Sequence, residues 1–122
     1  MHCFKKENYN EIKKMLRTSC IHDGSFSNAV YDEISKNFTV RIENKIWNGF
    51  VDMIFVGISK FLSVADYKWG NNETISCLAV MDGTGELPEA INSHDCTEKL
   101  CFVWETFSGN QIFIVCSELI VL

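Results

Sequence analysis

A single proline, three histidines and the lack of any long apolar run are the clearest scarcities in this 122-residue chain. One proline, 22% charged and 47% hydrophobic residues are not the composition of a disordered or low-complexity segment; there is enough apolar material for a folded core. No stretch reaches the ~18 consecutive apolar residues that a membrane-spanning helix needs. Met1 to Lys14 are polar and charged rather than an export signal's apolar segment. These absences predict a cytoplasmic chain with no membrane partner. The length predicts one domain over residues 1–122, since two cores would each sit near the lower limit of self-sufficiency.

Positive charge is scarce over most of the chain and concentrated at its start. Residues 1–20 hold Lys5, Lys6, Lys13, Lys14 and Arg17 against Glu7 and Glu11, whereas after Asn72 eight carboxylates face Lys99 alone. That leaves the second half at −7 within a net charge of −5. An acidic surface repels phosphate backbones, which argues against nucleic acid as a partner, and attracts a basic protein.

Cysteine, by contrast, is plentiful: Cys3, Cys20, Cys77, Cys96, Cys101 and Cys116. Without an export signal these are expected to be thiols, with Cys77, Cys101 and Cys116 acting as small hydrophobes in apolar strands. The Asn37-Phe38-Thr39 and Asn72-Glu73-Thr74 sequons need secretion too, so they are read as chance matches.

Apolar spacing divides the chain. Tyr9, Ile12, Met15 and Leu16 recur at helical intervals after Asn8, with Glu11 placed for a capping box, predicting a helix over about 9–18. From Ser25 the period becomes two: Phe38, Val40 and Ile42 alternate with Thr39, Arg41 and Glu43, and the polar segment Asp32–Asn37 suits a hairpin. Trp47–Ile58 is apolar on both faces apart from Asp52, as befits an inner strand. Gly57 marks a bulge or bend before Lys60–Tyr67. Thr74–Met81, Lys99–Phe107 and Gln111–Val121 complete the strands, with an irregular stretch expected at Asp82–Thr97. The predicted class is α+β: an N-terminal helix, then, over about 25–122, six or seven mostly antiparallel strands forming a roll, barrel or sandwich.

No catalytic constellation emerges. His22-Asp23 is the nearest to one, since a histidine beside a carboxylate can act as a base, and with Asp52 it defines a candidate ligand site; the competing reading is a turn at Asp23-Gly24. His94, Asp95, Cys96 and Cys101 are zinc-type ligands but lack paired Cys-x-x-Cys spacing, so no metal is assigned. A Cys96–His94 nucleophile pair is disfavoured because acidic surroundings raise a thiol's pKa. Asp82-Gly83-Thr84-Gly85 lacks the Gly-Lys-Ser/Thr ending of a phosphate loop, and Glu86 would repel phosphate, so no cofactor is assigned either. Most aromatic residues are assigned to the core, with Trp69, beside the Gly70-Asn71-Asn72 loop, as the candidate interface exception.

The short helix, the Ile21-His22-Asp23 junction, the Tyr31–Ile42 hairpin and the closing Phe102–Val121 hairpin around Ser108-Gly109-Asn110 together resemble small bacterial domains, some of which look like immunity proteins of toxin systems. That resemblance implies a non-enzymatic binding protein that occludes a toxin, a role in which acidic charge suits a basic nuclease. The candidate contact residues are Asp82, Glu86, Glu89, Asp95, Glu98 and Trp69. Two other readings stand beside it: a small-molecule or enzymatic β-domain with a pocket near His22, Asp23 and Asp52, and a structural homo-dimer pairing through its final strand, Leu119–Leu122.

Overall fold

The computed structural model describes residues 1–18, 24–44, 49–64, 75–84, 87–106 and 110–122. After strand β1 (His2–Phe4), a single 3₁₀ turn (Lys6–Asn8) leads into helix α1 (Tyr9–Thr18). Asn8 does not cap α1 as its spacing suggests. Its side chain accepts the Lys5 N–H at 2.9 Å and closes the preceding turn instead. Ile12 and Leu16, four residues apart, lie on one face of α1 and are buried against the sheets, contributing about 1.5–3 kcal/mol each.

The remaining described residues form β2 (Ser25–Asp32), β3 (Asn37–Asn44), β4 (Gly49–Val56), β5 (Lys60–Val64), β6 (Ile75–Met81), helix α2 (Ser93–Glu98), β7 (Leu100–Thr106), β8 (Gln111–Cys116) and β9 (Glu118–Val121). They build two antiparallel sheets, one of five strands in the order β1-β9-β4-β3-β2 and one of four in the order β5-β8-β7-β6. Among the described residues there are thus nine strands rather than six or seven, in two antiparallel sheets neither of which closes on itself. Two features account for the extra strands. β1 is too short to carry a period, and the run Gln111–Val121 is divided at Ser117 as it passes from one sheet to the other.

The two sheets join at a corner made by that division and by Gly57–Ser59, where β4 leaves the five-stranded sheet and β5 enters the other. Ser117 N and Oγ both donate to Val56 O, at 3.0 and 2.9 Å, and Ser59 N donates to Val115 O at 2.9 Å, so the two crossing chains bend side by side. Gly57 has φ +68°, and a Cβ there would lie 2.3 Å from Ser117 Oγ. The bend therefore requires glycine on both conformational and steric grounds.

Inward-facing residues of both sheets share the main core. The Phe55 ring of β4 meets Phe102 at 5.0 Å and Trp104 at 5.8 Å on β7, and Phe26 of β2 reaches Trp104 at 5.0 Å. A second cluster lies on the opposite face of the four-stranded sheet. There Phe113, Val115 and Cys101 are covered by Ile91 and Cys96, with Leu87 packed against them. From residue 87 onward the stretch expected to be irregular is thus a covering segment, 87–98, containing a helix: its few apolar residues fall on a sheet face that would otherwise be wet.

Candidate functional site

Of the predicted contact residues, Asp95 is the one that ties the covering segment to the sheet. Asp95 stands in the first turn of α2, exchanges capping hydrogen bonds with Asn92, and accepts from Lys60 Nζ at 2.7 Å. Lys60 also donates to Ala90 O at 2.8 Å, and Lys6 Nζ donates to Cys96 O. The Lys60 ammonium, followed by the Asn92 N–H, holds the Asp95 carboxyl below its ordinary pKa. Asp95 is therefore a latch between cover and sheet. Asp82 is exposed and accepts from Thr84 N at 2.9 Å and Thr84 Oγ1 at 2.6 Å, which lowers its pKa. Glu89 and Glu98 are exposed, with Glu98 3.9 Å from His94. Glu86, Trp69, His22 and Asp23 lie outside the described residues.

Asp52 lies on the outer face of the five-stranded sheet. Cross-strand register places it opposite Arg41, and the guanidinium grips both carboxylate oxygens at 2.7 and 2.8 Å. This two-point bond to Arg41 depresses the Asp52 pKa and raises that of Arg41. Arg41 also lies 4.3 Å over the Phe50 ring, an arrangement in which the cation meets the electron-rich face.

Register then lays out the rest of this face. Val30, Thr39, Ile54, Ile120 and Cys3 form one row across all five strands, and Asn28, Arg41 and Asp52 form the next. Leu122 completes the second row, its N–H donating to Asp52 O at 2.9 Å. Phe50 and Leu122 are each 60% exposed and Val30 is 56% exposed, around an open depression of about 550 Å³ lined by Asn28, Thr39, Arg41, Glu43, Asp52 and Leu122. Phe26, Phe38, Phe55, Phe102, Phe113 and Trp104 are buried as expected, while Phe50 and Phe61 are exceptions to the rule that the aromatics serve the core. The register neighbour of Phe50 is Glu43, an outward position, so strand alternation directs that ring to solvent.

The thiols divide by burial. Cys96, Cys101 and Cys116 are buried, Cys77 is half-buried and Cys3 is exposed, and all five are free. Desolvation pushes the Cys116 thiol up to about 12 and raises Cys101 as well, which suppresses thiolate chemistry. Cys3 donates to Glu118 Oε1 at 3.0 Å, and that bond raises its pKa. Among the described residues, no group of three or more His, Cys, Asp or Glu side chains is placed to hold a metal, and no helix is long and apolar enough to cross a membrane.

The sequence pointed to Asp52 but not to Arg41 or Phe50, and to Leu122 only as part of a final-strand pairing edge. A signal for Arg41 was present: in a hairpin, residues equidistant from the turn pair across the strands, and Arg41 and Asp52 are such a pair. No family model matches the chain, and neither does any curated protein or solved structure.

Proposed function

We propose that this chain is a non-enzymatic protein-binding domain whose contact surface is the outer face of the five-stranded sheet, centred on Arg41, Phe50, Asp52 and Leu122. The observation that carries the reading is an asymmetry between two outer faces. The four-stranded sheet has its outer apolar residues under the chain's own segment 87–98, while Phe50, Leu122 and Val30 on the five-stranded sheet stand in solvent with no described element over them. An exposed aromatic and an arginine, ringed by half-buried aliphatic residues, is the composition of an interface centre. Because Arg41 is balanced by Asp52 and bordered by Glu43, a basic partner suits this face. Occlusion of a basic toxin domain is the specific form of this role that the net charge of −5 favours.

The test is capture from a native lysate with tagged wild-type chain and with Phe50→Glu, each verified as folded by its thermal transition. A stoichiometric basic protein held by the wild type, weakened by salt and lost with Phe50→Glu, is expected. Equal capture by both chains rules this face out. Charge reversal at Glu89 and Glu98 supplies the comparison: loss there with full capture by Phe50→Glu places the contact on the covering segment.

A further inference from the structure

The predicted homo-dimer edge, the final strand, is not an edge: β9 lies between β1 and β4. The long uncovered edge among the described residues is β2. Of the other edges, β1 has three residues, β6 has α1 packed on it with Tyr9 Oη 3.5 Å from Val80 O, and β5 is five residues long and begins at the cover-bound Lys60. β2 has eight residues and pairs on one side only, with β3. All of Asn28–Asp32 is exposed, including Ala29 and Tyr31, whose register with Val40 and Phe38 turns them toward the inner face. This half of the strand contains neither lysine nor proline, and its bulge lies before it, between Phe26 and Asn28. The only edge-blocking device in the open stretch is the terminal charge of Asp32, which leaves Asn28–Tyr31 without one.

We propose that β2 pairs antiparallel with β2 of a second copy about a twofold axis through Val30, joining the two five-stranded sheets into one. The axis follows from the exposed stretch. Val30 is its centre, so this register alone pairs all five residues. It sets Val30 against Val30, Ala29 against Tyr31, and Asn28 against Asp32 at both ends. β-branched and small-against-aromatic pairs favour the ladder, and each Asn28 amide faces a carboxylate as a donor. Moving the axis toward Ala29 brings in buried Phe26 and the bulge, and moving it to Asp32 sets like charges opposite each other. The occupant is therefore a second copy, because the stretch is complementary to itself in one register.

The test is sedimentation equilibrium of the full chain over a concentration series up to about 1 mM, for wild type, Val30→Lys, Val30→Glu and an equimolar mixture of the two variants. Val30 is 56% exposed and faces outward, so both variants should keep the wild-type melting transition. Expected are a concentration-dependent wild-type dimer, dissociation constants raised about tenfold or more in each variant, and recovery in the mixture as a mixed-charge dimer. A wild-type monomer throughout overturns the proposal. So does undiminished dimerisation of the variants or a mixture that fails to recover. Each readout uses this chain alone, so its failure is separable from failure of the binding-surface reading.

Discussion

The corner between the sheets yields the most quantitative prediction. Gly57→Ala places a Cβ on a residue at φ +68° and 2.3 Å from Ser117 Oγ. The left-handed backbone costs an alanine about 1–2 kcal/mol. The hydroxyl must also turn away, surrendering its 2.9 Å bond to Val56 O, a contribution of about 1 kcal/mol. The stiffer unfolded chain returns about 0.5 kcal/mol, leaving a net loss of about 2 kcal/mol. Urea unfolding should show the midpoint falling by about 1 M for a slope of about 2 kcal/mol per M. The slope itself should not change, and the melting temperature should fall by roughly 8 °C. Ser117→Ala removes the atom that clashes, so the double variant should be more stable than the sum of the single losses predicts, by about 1 kcal/mol. A Gly57→Ala chain within 0.5 kcal/mol of wild type, or strict additivity, refutes the strained corner.

Three further outcomes follow from the packing and charges. Phe55→Ala should destabilise by about 3–5 kcal/mol in the same assay, because the ring is fully buried between the sheets against Phe102 and Trp104. Lys60→Met should speed hydrogen exchange of amides in residues 87–98 while leaving β7 and β8 protected, since it releases Asp95 and Ala90 from the sheet without opening the main core. Asp52 and Asp95 have pKa values lowered by Arg41 and Lys60, so their stabilisation is complete above the ordinary carboxylate value and is lost as pH falls through the depressed folded values. Denaturation from pH 6 downward should therefore show stability declining below about pH 4, less steeply in Asp52→Asn and Asp95→Asn.

Much of this architecture is legible in the sequence because alternation is a local property. The 38/40/42 series places β3 with Phe38, Val40 and Ile42 buried, and the doubly apolar run at Phe50–Val56 becomes an inner strand. The polar segment Asp32–Asn37 forms the hairpin turn, with Lys36 at φ 59° and Asp32 Oδ1 accepting the Ile34 N–H. What alternation does not contain is which sheet a strand joins. The division at Ser117 and the burial of Leu87, Ile91 and Cys96 on a sheet face are decided by contacts between segments far apart in sequence. The candidate site shows the same limit. Asp52 is conspicuous as a charge in an apolar run, but its meaning depends on Arg41 across the strand and on Phe50 facing solvent. Asp95 stands out in the sequence by its charge alone, and packing gives it to Lys60.

The most direct test of the proposed binding surface is methyl NMR of the chain titrated with a basic protein recovered in the capture experiment. Ile54, Ile120 and Leu122 report the outer face of the five-stranded sheet, and Leu87 and Ile91 report the covering segment. The proposed surface predicts shifts or broadening at Leu122, Ile54 and Ile120, with Leu87 and Ile91 unchanged. Changes confined to Leu87 and Ile91, with Leu122 unmoved at saturation, would contradict it.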